Sequence, residues 1–441
     1  MEHVIAARAQ MGTSLAFHIV FAALGVGLPL LVFVAEGLWL RTRDRAYYDL
    51  ARVWAKGMAI LFAVGAVSGT ILSFELGLLW PEFMKYAGGI IGLPFSLEGF
   101  AFFIEAIFIG LYLYGWEKLS PRAHWLSALP IVLSGPFSAA FITMANAWMQ
   151  MPTGFRIVDG HVTDVRPLVA MFAKPWATEV VHGTLAAYVL TSFAVAGVCA
   201  FAWLRGDRRR QVTRGIVVAM TLGAIALPIQ MIVGDVAARF DAENEPSKFA
   251  AMEAVFHTQR DAPITIGGFP NGDRMVGAIE IPELLSILVA FDPHAQVTGF
   301  DRIRTDDRPP IEATHLSFDT MVGSASLLTL VVLAWLVWVI RRKAMIRPIA
   351  IAIALGAPLS LTALEAGWFV TEFGRQPWIA RGLLRTSDAV TVAPGIDLQF
   401  YGFSLIYMVL AAMTWWLLRR VDHDSVQAQQ HGRPRQIPAP S

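Results

Sequence analysis

Nine stretches of about 20 predominantly apolar residues recur along the chain, each long enough to cross a bilayer core as a helix. They fall at 13–40, 53–76, 95–115, 125–146, 180–204, 213–235, 317–340, 348–369 and 399–418. Those at 53–76 and 348–369 are the least clean, and each carries polar residues. Lipid offers no hydrogen bonds, so a spanning segment must satisfy its own backbone, and a helix does so within one segment. The charge content agrees: 16% of residues are charged, against about 25% in a soluble domain. The first stretch, Leu15 to Leu40, is too long for a signal-peptide core. No basic region precedes it in Met1 to Ala7, so a true span is expected and no cleavable signal. The predicted fold class is all-α, a polytopic membrane bundle of about nine helices.

The connections alternate in character. Arg41, Arg43, Arg45 and Arg52 follow the first stretch, and Lys118 and Arg122 the third. Arg205, Arg208, Arg209, Arg210 and Arg214 follow the fifth, Arg341, Arg342, Lys343 and Arg347 the seventh, Arg419 and Arg420 the ninth. By the positive-inside rule these short basic loops are cytoplasmic. The other connections read as longer and not basic-rich. An odd number of spans then puts the N-terminus outside and the C-terminus in the cytoplasm. Residues 236–316 form a large outer loop, too long to be a mere connector. Residues 424–441 are polar and rich in Pro and Gln, as in a disordered cytoplasmic tail. This leaves 1–423 as one membrane domain that includes the outer loop. The net charge of +1 gives no reason to expect a nucleic-acid partner, and the single cysteine, Cys199, excludes a disulfide framework.

An ionisable residue inside a span is expensive, so each marks a functional hypothesis. His18 (SLAFHIVF) and His182 (TEVVHGTLAA) lie in apolar helices near the expected outer side. Neutral imidazole is the commonest metal ligand, and haem iron accepts His or Met axially. A packing histidine bonded to a neighbouring helix explains either residue alone as well. Met321 (LSFDTMVGSA) begins its helix from the same side. A lone Met in such a helix is usually core filler, but its level matches His182.

Carboxylates are the stronger anomaly. Glu98 and Glu105 lie seven residues apart in LEGFAFFIEAIFIG, hence on one helix face about 10 Å apart. Glu365 and Glu372 repeat that spacing in ALEAGWFVTEFGRQPW, and Glu75 ends the second stretch. Stacked carboxylates suit a proton relay or an iron ligand; the plainer reading is neutral, hydrogen-bonded acids. His18, Glu98, His182, Met321 and Glu372 all fall in the expected outer half, which suggests one shared site built from facing helices. Arg375, just outside the eighth stretch, suits a carboxylate-bearing cofactor by its fork geometry, or serves as an interface anchor beside Trp378.

The motifs AFHIVF, LEGFAFFIEA, NAWMQMPTG, VVHGTLA, KFAAME, FDTMVG and GWFVTEFGRQPW, in this order and spacing from about residue 5 to 420, resemble subunit I of cytochrome bd-type quinol oxidases. The resemblance implies three haems. His182 and Met321 would ligate a low-spin haem b. His18, Glu98 and Glu372 would serve two high-spin haems, one a haem b and the other haem d or a second high-spin haem b. Trp368 and Arg375 would border the haems, and Glu105 would be a proton-path acid with Ser134 and Ser138 beside it. The 236–316 loop would bind quinol through Lys248 and Glu253. A second large membrane subunit, a small single-helix subunit and a bacterial inner membrane are implied as surroundings, with quinol and oxygen as substrates.

Three features depart from the best-known branch: the outer loop is short, and Asp319 and Glu179 stand where that branch carries basic residues. They look more like the cyanide-insensitive branch. Two other functions compete. A bis-histidine dihaem cytochrome needs four intramembrane histidines, and two are apparent. A proton- or ion-coupled transporter would use Glu98, Glu105 and Glu372 for its ion, but leaves the His and Met placement unexplained.

Overall fold

The computed structural model describes residues 3–341 and 345–430. Among them, nine helices are long and apolar enough to cross a membrane. They are α1 (His3–Thr42), α2 (Arg45–Leu79), α3 (Pro81–Gly115), α4 (Pro121–Gln150, interrupted at Ala128), α5 (Trp176–Leu204), α6 (Arg210–Asn244), α7 (Ile311–Ile340), α8 (Arg347–Arg375) and α9 (Ile396–Gln430). The helices outrun the apolar stretches because polar residues at their ends still propagate the backbone ladder. The expected tail at 424–441 thus begins as helix to Gln430, and 431–441 lie outside the described residues.

One connection differs from expectation. The second and third helices are joined by a single non-helical residue, Trp80 (φ −126°, ψ 52°), with Pro81 at the first position of α3. Residues 81–94 read as a connector because Glu82, Lys85 and several glycines interrupt their hydropathy. Proline is favoured at the first helical position and restarts the helix at once.

The chain runs up and down, so all the arginine-rich turns lie at one end, the basic face. Asp44 caps α2 by accepting from the Ala46 N–H and pairs with Arg210 at 3.1 Å and Arg214 at 3.4 Å, joining two of those turns. At the opposite end, the loop face, residues 245–310 form short helices and hairpins. One hairpin pairs Ile264–Ile266 with Ile279–Ile281, and another pairs Phe269–Asn271 with Arg274–Val276.

Helix α1 is central, touching α2, α4, α5 and α9; α8 packs on both α5 and α7, and α3 on α4. Small residues allow close approach, which drives helix packing in lipid. A Cβ on Gly27 of α1 would collide with Thr191 Oγ1 of α5, and one on Gly356 of α8 would fall 2.5 Å from Phe193 Cδ1 of α5. Large apolar side chains on α3, α7 and α9, such as Phe103, Leu330 and Leu405, remain exposed, as lipid or a partner helix requires.

Candidate functional site

Three ligand candidates share a local device. His18 lies against α2, its Nδ1 2.9 Å from the Ser68 hydroxyl, and a Cβ on Gly69 would come within 3.0 Å of its Cε1. His182 faces α6, with Nε2 3.2 Å from Gln230 Nε2 and Cε1 3.3 Å from the place of a Cβ on Gly234. Met321 faces α8, where a Cβ on Gly367 would sit 3.0 Å from its Sδ. A glycine therefore stands opposite each of the three. Each side chain thus packs against bare backbone, and a larger residue at any of the three glycines would displace it. His182 Nδ1 is buried without a partner, which leaves one ring nitrogen uncommitted. His182 and Met321 face different neighbours, and α8 is the wall that packs on both of their helices.

The carboxylates lie at two levels rather than one. Glu98 accepts from Ser138 Oγ at 3.2 Å, whereas Glu372 accepts from Asn146 Nδ2 at 3.2 Å. Ser138 and Asn146 are eight residues apart on α4, about 12 Å along its axis. The shared level expected from hydropathy alone is thus a column, with Glu372 next to the loop face and Glu98 deeper. Glu105 lies deeper still, buried in the seam of α1, α3 and α4. Its Oε2 is 3.8 Å from a Cβ placed on Gly135, a residue that itself abuts Val26 of α1. Ser134 is buried beside that seam and gives its hydroxyl hydrogen to the Ile131 carbonyl.

At the loop face the charges interlock. Arg375 is 3% exposed and donates from Nη2 to Glu372 Oε2 at 2.6 Å; its Nε and Nη1 are buried without partners. A guanidinium fork with two free nitrogens in such a place calls for an anion with paired oxygens. Trp368 follows Gly367 on the same helix and packs against the cluster of Ala23, Val26, Ala187 and Leu190 from α1 and α5. Lys248 Nζ is 2.9 Å from Asp241 Oδ2 and 3.7 Å from Glu245 Oε2, and Arg381 closes on Glu245 at 2.8 Å. A Cβ on Gly374 would meet Lys248 Cγ at 2.7 Å, so the lysine stem lies across the end of α8. Burial alone would lower the Lys248 pKa, but Asp241, Glu245 and Glu179 outweigh it and hold it above the usual lysine value.

Glu253, named with Lys248 from the sequence, lies five residues further along the chain and meets a different charge. It ends the short helix Pro246–Met252, is 5% exposed, and titrates at about 8 because of burial first and the charge of Asp319 second. Asp319 has a structural reason to be acidic: it accepts from the Gly267 N–H and lies 3.4 Å from His315 Nε2. His315 is fully buried, its ring nitrogens 2.7 Å from the Met252 carbonyl and 3.2 Å from the Gly267 carbonyl. The loop is thereby pinned to α7.

Hydropathy missed two buried histidines, His315 and His124, because both lie at polar helix ends. His124 Nδ1 is 2.7 Å from Glu36 Oε1, and Tyr112 gives its hydroxyl hydrogen to Glu36 Oε2 at 2.5 Å. Asp241, Glu245 and Arg381 were missed too, although the spacing of Asp241, Glu245 and Lys248 places them together across a helix end. Among the described residues, no group of three or more His, Cys, Asp or Glu could hold a bare metal ion.

Comparison with known proteins supplies the frame. The family model for cytochrome bd terminal oxidase subunit I matches residues 6–425. A Bacillus subtilis (strain 168) chain, named provisionally as cytochrome bd menaquinol oxidase subunit I, is 36% identical over 426 residues, covering 95% of this chain and 96% of that one. The cytochrome bd ubiquinol oxidase subunit 1 of the same strain is 30% identical over 452 residues, 96% of each. The bd oxidase structure from Geobacillus thermodenitrificans superposes with a TM-score of 0.92 at 36% identity, over 96% of this chain and 99% of that one. With sequence, fold and relatives in agreement, the chain belongs to the cytochrome bd terminal oxidase subunit I family and is a subunit of a respiratory quinol oxidase.

Proposed function

We propose that the subunit takes electrons from a quinol at its loop face and passes them to oxygen at haems held in the same half of the bundle. The loop face lies outside and the basic face in the cytoplasm of a bacterial inner membrane, in keeping with the positive-inside rule. His182 and Met321 hold a low-spin haem b. His18, Glu98 and Glu372 hold a high-spin haem b and either haem d or a second high-spin haem b. The observation that carries the reading is Arg375: two buried, unpartnered guanidinium nitrogens beside Glu372 fit a haem propionate. The facing glycines Gly69, Gly234 and Gly367 support it.

Bound haems supply electron transfer and the reduction of oxygen to water. The chain's own residues manage protons and position. Glu253 is the proton acceptor for the quinol hydroxyl, because its pKa of about 8 suits proton transfer near neutral pH. Lys248 is held by Asp241 and Glu245 and braces the end of α8 next to Arg375. Glu105 and Glu98, with Ser134 and Ser138, carry protons from the cytoplasmic side. Protons released outside and consumed from inside separate charge without a pump. The exposed apolar faces of α3 and α9 suit a second large membrane subunit and a small single-helix one.

The test is a reduced-minus-oxidised optical spectrum of the protein made with its partner subunit, with and without carbon monoxide. Low-spin b bands and a carbon monoxide-sensitive high-spin signal are expected. A folded but colourless protein would refute the reading and redirect work to proton-coupled transport.

A further inference from the structure

Above His18, toward the loop face, α1, α2 and α9 enclose a second polar cluster that the oxidase reading does not use. Gln10 donates from Nε2 to Glu75 Oε1 at 3.0 Å, both residues being essentially inaccessible. Ser14, also inaccessible, lies beside both Glu75 and Tyr407 without a hydrogen bond of good geometry to either. Four oxygens in this small space have no partner: Gln10 Oε1, Ser14 Oγ, Glu75 Oε2 and Tyr407 OH. Unsatisfied polar atoms are rare in native interiors, and a convergent set implies bound water or an ion.

The charge balance narrows the choice. Among the described residues, Tyr407 from α9 is the titratable group that faces Glu75; Gln10 and Ser14 from α1 are neutral, and no cation pairs with the carboxyl. With no fixed cation to hold its charge and only neutral oxygens around it, this carboxyl takes its proton affinity from the net charge of whatever cofactor lies beside it. The position narrows it further. Ser14 is four residues before His18 on α1, one turn or about 6 Å, and Ser68, which meets His18, is seven residues before Glu75 on α2. The imidazole and the carboxyl therefore face the same α1–α2 seam, about 10 Å apart along it.

We propose that Gln10, Ser14, Glu75 and Tyr407 form a hydrated proton site that fills when the haem held by His18 is reduced and empties when it is oxidised. One electron reaches the iron, and one proton from bulk water at the loop face bonds to Glu75 Oε2; on reoxidation both leave. The reason is electrostatic: an added electron in a low-dielectric interior raises the proton affinity of a nearby carboxyl. By linkage, the potential of that haem falls as pH rises. The inference rests on His18 as a haem ligand.

The test is a redox titration at several pH values, with redox-difference infrared spectroscopy of carboxyl groups, on the assembled oxidase carrying Glu75→Gln. Haem content should be unchanged, the pH slope of the high-spin potential should drop to roughly half or less, and one carboxyl signal should vanish. An unchanged slope and an unchanged carboxyl signal would overturn the proposal. If Glu75→Gln does not assemble, Ser14→Ala with Tyr407→Phe keeps the carboxyl but removes its water partners; the carboxyl signal should shift, and an unmoved signal overturns the proposal. A His18→Ala oxidase that keeps every haem would refute the ligand assignment instead, a separate outcome.

Discussion

Replacing Lys248 by Met separates a structural from a chemical role for this lysine. Its ammonium sits 2.9 Å from Asp241 Oδ2, with side-chain exposures of 8% and 12%, so the pair is buried. Removing one partner of a buried pair costs about 3–5 kcal/mol, because the other charge is stranded. Glu245 keeps Arg381 at 2.8 Å, so Asp241 is the stranded group and the low end of that range, about 3 kcal/mol, applies. For a chain of this size that is a fall of about 3 °C in the temperature at which haem absorbance is lost. Adding Asp241→Asn to Lys248→Met should restore most of the loss, since no charge is then stranded. The assay is a double-mutant cycle on thermal haem release, with the Michaelis constant for quinol measured on the same four proteins. A coupling below about 0.5 kcal/mol would refute the buried-clamp reasoning. Restored stability with quinol binding still weakened would show that the ammonium touches the substrate as well.

His182→Ala should lose the low-spin haem; a full low-spin spectrum with full activity would remove this histidine from the ligand set. Glu105→Ala should keep its haems but turn over more slowly, and unchanged turnover in stopped-flow oxygen reduction would take Glu105 out of the proton path. Glu253 must be deprotonated to accept a proton from quinol, and its pKa is raised from 4.5 to about 8, so turnover should climb as pH rises toward 8. Asp319→Asn removes a charge that raises that pKa, so the limb should move to lower pH; a profile that stays put under saturating quinol would contradict the placement of Glu253.

What was legible in the sequence follows the physics of each signal. Lipid punishes polarity so strongly that nine spans and their alternating ends stand out in one dimension. The same penalty made Glu98, Glu105 and Glu372 conspicuous. Partners were not legible, because they come from remote segments: Asn146 meets Glu372 across 226 positions and His124 meets Glu36 across 88. Helix ends misled in both directions. Polar residues at 81–94 hid the start of α3, and polar flanks hid His124 and His315. The glycines opposite His18, His182 and Met321 carry no signal until the facing helix is known.

The contacts that close the loop face also set an order of biogenesis. Asn146 and Glu245 are synthesised long before their partners Glu372 and Arg381, which lie 226 and 136 positions downstream. At the ribosome, the first six helices are therefore in place while one wall of the site does not yet exist. That wall is complete only when α8 and the turn beyond it have emerged. Under the proposed assignment, loading of the haems that Met321 and Glu372 would hold is thus a late event in the life of the chain, after most of it has been inserted. A nascent chain stalled before α8 would be a membrane protein of ordinary topology with its acids still waiting for their partners.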